Sequence, residues 1–371
     1  GTEPPSNTIS SDYQSDENYS NLKNKYLNGT YHVIPTQPES RCLELISCIG
    51  KGSYGTVYLA HRQEPDIDDE DKYCVLKSIC KHKVLAANQF RNILRERNIL
   101  ESISHPFIIK LNKTFQTQSH FHFEMEYCQG GDLFFHMKTH RRLPPKAMKF
   151  YAAEMILALK YLHSKGVIYR DLKPENVVLD KHGHIRLVDF GMAKPGMEIG
   201  RAYTICGSYD YIAPEVILGI GYSFPVDYWS LGCVLYELLF GLPPFFCKSG
   251  QNSDKFPRIL KGNVKFPSKM DPCLKHLLQG LLTVVTHERL GEGLQEHAFF
   301  STVDWSSYLQ KEIMPPIKPK ILHDTETRYF DKEFTSMPAS LQYIGSFSQI
   351  DPSISAFSSI HEFPVEEGYL V

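Results

Sequence analysis

The run Tyr169-Arg170-Asp171-Leu172-Lys173-Pro174-Glu175-Asn176 constrains this chain more than any other stretch. It sets a carboxylate, a lysine and an asparagine within a few residues of one another. A short apolar segment follows, and Val188-Asp189-Phe190-Gly191 then brings a second carboxylate onto a turn. Transfer of a phosphoryl group from a nucleotide calls for this inventory. One carboxylate receives the acceptor hydroxyl, a lysine neutralises the moving phosphoryl, and oxygen donors hold magnesium. A lone Asp-Phe-Gly is a chance match; two such runs, in this order and at this separation, are a pattern.

The rest of the chain narrows the class. Its 371 residues exceed one typical domain and suit two lobes with tails. A formal net charge of -2 argues against a general nucleic-acid binder. Nine cysteines without a Cys-x-x-Cys pair suggest reduced thiols of the cytoplasm or nucleus. His136 with His140, and His182 with His184, read as solvated surface histidines, since no further ligand lies at finger spacing. The apolar run from Leu231 to Phe246 is broken by Glu237, Gly241, Pro243 and Pro244, so it reads as a buried helix rather than a membrane span.

Residues 1–40 are rich in Ser, Asn, Asp, Tyr and Pro without apolar periodicity, and are expected to form a disordered or extended arm. Leu43 to Ile49 and Thr56 to Ala60 read as strands flanking Gly50-Lys51-Gly52-Ser53-Tyr54-Gly55. Glycine's freedom at positive φ lets such a turn fold over phosphates and present backbone N–H groups. Dinucleotide-binding folds use the same spacing, but there a helix follows, whereas here a strand with Val57 and Tyr58 follows. Tyr73 to Ile79 reads as a further strand carrying Lys77, whose charge must be matched inside an apolar run. Glu96 is the expected partner, on a helix from about Asn88 to Ser102 with Phe90, Ile93, Leu94, Ile99 and Leu100 on its apolar side. Lys146 to His163 shows a second helical pattern, with Gly166 as its stop.

Taken together, these runs resemble the catalytic domains of AGC-group serine/threonine protein kinases, such as protein kinases A and B and the ribosomal and stress-activated kinases, over roughly residues 41–335. The resemblance implies an α+β bilobal fold: a small antiparallel-sheet lobe at 41–127, a larger helical lobe at 128–300, and an AGC-type tail at 301–371. It implies ATP and Mg2+ as cofactors. Asp171 would be the base, Lys173 would meet the γ-phosphate, and Lys77 with Glu96 would orient the α- and β-phosphates. Gly50, Gly52, Ser53, Tyr54 and Gly55 would cover the phosphates, while Val57, Val75 and Val178 line the nucleotide pocket. The main chain of Glu126 and Cys128 would meet the adenine edge, with Met125 guarding the back. Asn176 and Asp189 would bind the metal. Phe190 would pack beneath the helix of Glu96.

Regulatory and substrate positions follow from the same resemblance. Asp132, Glu175 and Glu237 match positions that bind arginines preceding the acceptor, so Arg-rich protein substrates are expected. Ser208 matches a hydroxyl that contacts both Asp171 and Lys173. Thr204 matches the activation-segment phosphosite, with Arg170 and Lys194 as phosphate partners. The implied upstream activator is a kinase of the phosphoinositide-dependent type. Glu215 is expected to pair with Arg289, and Asp227 to anchor the catalytic-loop backbone.

Three departures stand out. Tyr169 replaces the common histidine, a variant familiar in this group. Val75 replaces an alanine and is expected to reshape or weaken ATP binding; Tyr209 replaces a proline and leaves open the residue preferred after the acceptor. Phe330-Asp331-Lys332-Glu333-Phe334 resembles the tether that crosses the cleft. For the terminal hydrophobic motif, Ile344–Ser348, Ile354–Ser358 and Ile360–Phe363 are equal candidates. The forty residues before the small lobe leave no room for a pleckstrin-type domain, so direct membrane recruitment is not expected; a monomer without a nucleic-acid partner is expected as well. The alternative is a pseudokinase scaffold, disfavoured by the presence of Lys77, Glu96, Asp171, Asn176 and Asp189 together. A small-molecule kinase is weakened by the activation segment and Ala213-Pro214-Glu215.

Overall fold

The computed structural model describes residues 43–340, apart from 64–70, 118, 198–200, 205 and 249–251, together with Phe357. The expected N-terminal arm lies outside the described residues. Strands β1 (Leu43–Lys51), β2 (Gly55–Arg62), β3 (Tyr73–Cys80), β4 (Leu111–Gln116) and β5 (His120–Glu126) form an antiparallel sheet in the order β1-β2-β3-β5-β4. Alternation drives it: Leu43 and Leu45 point inward while Glu44 and Ile46 face solvent.

Between β3 and β4 lie α1 (Lys81–Ala86) and α2 (Phe90–Ser102). Helix α2 starts later than the apolar pattern suggests because Asn88 sits in the left-handed region, at φ 55°, and breaks the helical path. Its inward face buries Phe90, Ile93, Ile99 and Leu100, and also Glu96.

The larger lobe is helical: α3 (Leu133–His140), α4 (Pro145–Ser164), α5 (Pro214–Leu218), α6 (Pro225–Phe240), α7 (Asn252–Lys261) and α8 (Pro272–Leu281). Its hairpin β6 (Val177–Leu179) and β7 (Ile185–Leu187) carries the metal-loop candidate out of the core. Helix α6 is apolar on nearly every side and runs through the core, with Trp229, Leu231, Val234, Leu235 and Leu238 fully buried. Among the described residues no helix is long and apolar enough to cross a membrane.

Two histidines expected on the surface are buried instead, because each found a buried acceptor. His136 Nε2 lies 2.7 Å from the Gly130 carbonyl, and His184 Nδ1 lies 2.6 Å from Glu154 Oε1.

The tail wraps both lobes through α9 (Trp305–Leu309) and α10 (Lys332–Thr335). Phe334 and Met337 pack on the sheet face formed by Leu43, Leu45, Tyr58 and Leu76, and Tyr58 donates a hydrogen bond to the Ser340 carbonyl at 3.0 Å. Of the three terminal candidates, the segment containing Phe357 has a seated aromatic; the other two lie outside the described residues. The Phe357 ring is fully buried, 4.7 Å from Phe121 and 5.3 Å from Phe123, and its carbonyl accepts from Thr114 Oγ1 at 2.8 Å. Truncating a buried phenylalanine removes about 3 kcal/mol or more of packing. Phe357→Ala is therefore expected to release the terminal segment and speed its cleavage in limited proteolysis. An unchanged cleavage pattern would count against this docking.

Candidate functional site

The glycine-rich turn is closed by a bond from Gly52 N to the Gly55 carbonyl at 2.9 Å. Gly55 tolerates no side chain, since a Cβ there would stand 2.1 Å from the Ser78 carbonyl oxygen. The pairing of β2 with β3 sets Val57 opposite Lys77, and the pairing of β3 with β5 sets Val75 opposite Met125. Strand register therefore aims Lys77 into the space between the lobes.

That space is a cavity of about 420 Å³. Its upper wall includes Gly50, Gly52, Gly55, Val57, Val75 and Lys77, and its hinge side Met125, Glu126 and Cys128. The floor includes Asp132, Glu175, Asn176, Val178 and Asp189, while Phe330 and Phe334 of the tail close the edge. Ser53 and Tyr54, expected at the same cavity, are not among its lining residues. Ser53 is exposed at the hairpin tip, and Tyr54 turns partly into the core with its carbonyl bound to Cys80 N.

Lys77 Nζ reaches Glu96 Oε1 at 2.6 Å and Asp189 Oδ1 at 3.4 Å. Burial alone would lower its pKa, but the charges of Glu96 and Asp189 push it upward, so the lysine is cationic at neutral pH. The Lys77 charge in turn holds the Asp189 carboxyl below its ordinary value. Asp189 occupies the left-handed region at φ 56°, as does Arg170 at φ 69°, and neither is a glycine. Such strained backbone persists where the surroundings over-determine it, as at functional sites.

A second network joins the residues of the catalytic run. Lys173 Nζ donates to Asp171 Oδ2 at 2.8 Å and to Ser208 Oγ at 3.0 Å. Ser208 Oγ donates to Asp171 Oδ1 at 3.2 Å. Asn176 Nδ2 donates to the Asp171 carbonyl at 2.8 Å and to its Oδ2 at 2.9 Å. The Asn176 side-chain Oδ1 is thereby turned away from Asp171, and the Asp189 side chain is 53% exposed. Two hard oxygen donors on one cavity wall suit magnesium.

Behind this network, buried Asp227 accepts from Tyr169 N at 2.9 Å and Arg170 N at 2.8 Å. His163 Nε2 meets the same carboxylate at 2.8 Å. No local pattern marked His163, which looked like one more residue at the end of α4. Tyr169 is fully buried; its hydroxyl donates to the Val188 carbonyl and its ring meets Phe190 edge-on at 5.1 Å. This tyrosine thus ties the loop of Asp171 to the loop of Asp189.

The acidic side of the site is built from distant elements. Asp132 caps α3, accepting from Phe135 N at 2.7 Å. Burial, then the neighbouring charge of Glu175, push its pKa up to about 6. Glu237 accepts from the Tyr211 hydroxyl at 2.6 Å, a partner absent from the sequence reading. Burial, then the charges of Glu175 and Asp210, push its pKa up to about 7. Both carboxylates feel Glu175, so the three share one region.

Thr204 is exposed, and its carbonyl accepts from the Tyr222 hydroxyl at 2.6 Å. Arg170 Nη1 donates to that same hydroxyl at 3.0 Å. Lys194 bridges Ile168 through its backbone, and among the described residues its ammonium has no ion pair. The tail grips the hinge, with Gln129 Nε2 donating to the Asp324 carbonyl at 2.7 Å and Phe330 stacked 6.1 Å from Tyr127.

A family model described as "Protein kinase domain" matches residues 43–300, and one described as "Protein kinase C terminal domain" matches residues 321–364. The chain is similar to "Protein kinase 2" of Dictyostelium discoideum, 40% identical over 79% of this chain and 60% of that protein. It is 37% identical to "RAC-beta serine/threonine-protein kinase" of Mus musculus, over 83% of this chain and 64% of that protein. "Serine/threonine-protein kinase Sgk1" of Gallus gallus is 38% identical, over 85% of this chain and 72% of that protein. The chain thus spans between 60% and 72% of these relatives' own lengths. With a kinase-domain match across most of its length and a kinase C-terminal match beyond it, the chain belongs to the protein kinase family, in its AGC branch.

Proposed function

We propose that the chain is an ATP- and magnesium-dependent protein serine/threonine kinase acting on Arg-rich substrates. One observation carries the reading: Lys77, Glu96 and Asp189 meet at 2.6 and 3.4 Å in the same cavity that Asn176 lines. In this reading Lys77, steadied by Glu96, orients the α- and β-phosphates beneath the glycine-rich turn. The main chain of Glu126 and Cys128 meets the adenine edge, between Val57, Val75 and Val178. Asn176 and Asp189 hold magnesium, which when bound neutralises charge on the phosphate oxygens. Asp171 accepts the proton of the Ser/Thr hydroxyl, and Lys173 offsets charge on the moving phosphoryl. Ser208, bonded to both, positions them.

Arginines preceding the acceptor pair with Asp132, Glu175 and Glu237. Phosphorylation of Thr204 by an upstream kinase of the phosphoinositide-dependent type switches activity on. The free thiols of eight described cysteines support a cytoplasmic or nuclear location.

The test is phosphate transfer from Mg-ATP to an Arg-rich Ser/Thr peptide, beside proline-directed and acidic peptides. Transfer to the Arg-rich peptide alone is expected. Nucleotide binding without any transfer would favour the scaffold alternative, and a proline-directed or acidic preference would remove the arginine subsite.

The raised carboxyl pKa values give a pH signature. Above about pH 7 Asp132 and Glu237 are ionised, and lowering the pH protonates first Glu237 and then Asp132. KM for an Arg-rich peptide is expected to rise roughly tenfold from about pH 8 to about pH 5.5, as charge-assisted pairs are lost. A peptide whose arginines are replaced by neutral residues should keep a flat KM. Parallel profiles for the two peptides would contradict the assignment.

A further inference from the structure

Glu126 is the last residue of β5 and lines two cavities. One is the nucleotide cavity; the other, of about 510 Å³, is also bordered by His105, Lys110 and Arg186. The Glu126 Oε1 atom accepts from Lys110 N at 2.8 Å and from Arg186 Nε at 2.8 Å. Where a side chain borders cavities rather than close-packed neighbours, bonds of this kind fix its position more than packing does.

Arg186, on β7, is shared between two carboxylates. Its Nη1 lies 3.4 Å from Asp180 Oδ2 and also donates to the Pro106 carbonyl. Asp180 follows β6 in the turn toward β7, where its Oδ1 accepts from His182 N and His184 N, each at 3.0 Å. Its Oδ2 takes a second cation, Lys311 Nζ, at 3.0 Å. Lys311 belongs to the tail, two residues past α9, and its ammonium lies 5.7 Å from the centre of the Phe107 ring. Glu126, Arg186, Asp180 and Lys311 thus form a row of alternating charges, with side chains between 13 and 25% exposed. Water screens such charges weakly, so each pair feels the next. Burial raises the pKa of Asp180, but the charges of Lys311 and then Arg186 more than offset it, so this carboxylate is ionised at neutral pH. Two carboxylates therefore compete for one guanidinium, and the distances of 2.8 and 3.4 Å favour Glu126.

We propose that Lys311 is a positioning residue for the nucleotide: by neutralising Asp180 it leaves Arg186 to Glu126, whose main chain takes the adenine edge. This rests on the hinge reading above. Without Lys311, the unmatched charge of Asp180 draws the guanidinium across, and the Glu126 carboxylate loses its charged partner. The adenine contact then loosens. Among the described residues none of the four charged groups bonds to Asp171, Lys173 or Ser208, so the transfer step itself is untouched.

The experiment uses the full chain as wild type, Lys311→Met, Asp180→Asn, the double variant and Arg186→Gln. Three readouts are taken: Kd for Mg-ATP, kcat for an Arg-rich peptide, and amide hydrogen exchange at Glu126 and Cys128 with and without Mg-ATP. Lys311→Met is expected to raise Kd roughly tenfold, the scale of one charged hydrogen bond, with kcat at saturating ATP near wild type. Asp180→Asn alone should bind ATP as wild type does, because Arg186 then has a single carboxylate to serve. Adding Asp180→Asn to Lys311→Met should bring Kd back to within about threefold of wild type, a coupling that contacting charges show. Arg186→Gln should weaken binding as Lys311→Met does. Wild-type Kd in Lys311→Met overturns the proposal. A double variant as impaired as Lys311→Met also overturns it, since a merely structural lysine gives no such recovery. Should Lys311→Met fail to fold, wild-type Kd in Arg186→Gln overturns it instead. If Mg-ATP does not slow exchange at Glu126 and Cys128 in the wild type, the hinge reading fails and the Lys311 assignment with it. Slowed exchange in the wild type, with variants that match it, leaves the hinge reading standing and removes the Lys311 assignment alone.

Discussion

Asp171→Asn is expected to lower kcat for phosphate transfer by about 10²–10⁴-fold, the range set by removing a positioned proton acceptor. The substitution keeps the size of the side chain, so the contact with Lys173 at 2.8 Å retains an acceptor oxygen. What disappears is the negative charge aimed at the incoming hydroxyl. The side chain makes its contacts with Lys173, Asn176 and Ser208, none of which anchors the lobe core. Thermal stability and KM for ATP should therefore stay near wild type while kcat collapses. Steady-state kinetics with an Arg-rich peptide, beside a melting curve, separates these quantities. Activity within a few-fold of wild type would remove Asp171 from the centre of the mechanism.

Arg289→Ala is expected to destabilise the larger lobe by about 3–5 kcal/mol, the cost of stranding a buried charge. Arg289 Nη1 and Nη2 meet the two carboxylate oxygens of Glu215 at 2.6 and 2.8 Å, with the arginine side chain 0% and the glutamate 2% exposed. The guanidinium also donates to the carbonyls of Pro225 at 2.9 Å and Thr283 at 2.9 Å, and lies over the Trp229 ring. Alanine leaves the Glu215 carboxylate buried without a partner and opens the space beside Trp229. Unfolding in guanidinium chloride should register the loss as a lowered midpoint. Replacing both residues, as Glu215→Leu with Arg289→Met, should recover part of it because no charge is left stranded. A single variant as stable as wild type would contradict this account of the pair.

Much of the site is legible in the sequence because its parts lie in contiguous runs. The turn at Gly50–Gly55 and the lysine within the apolar strand each carry their meaning within a few residues. The clusters around Asp171 and Asp189 do so as well. The pairing of Glu215 with Arg289 and the anchoring by Asp227 followed from motif resemblance rather than local pattern. His163 and the Tyr211–Glu237 bond had no such warning. A histidine at a helix end and a tyrosine in a loop look alike whether or not a carboxylate awaits them. The surface assignment of His136 and His184 failed for the same reason, since burial belongs to neighbours that spacing cannot name.

The chain's own sequence determined the inventory of functional groups and the elements that carry them, because backbone freedom, charge and side-chain periodicity act over a few residues. Tertiary packing alone decided which groups meet. It joined Lys77 to Asp189 across 112 positions, seated Phe357 where the sequence offered three equal candidates, and buried Asp132 and Glu237, with Glu175 nearby, so that their pKa values rose. Distances and desolvation of this kind arise only when separate segments share one interior, and spacing along a single chain does not encode them.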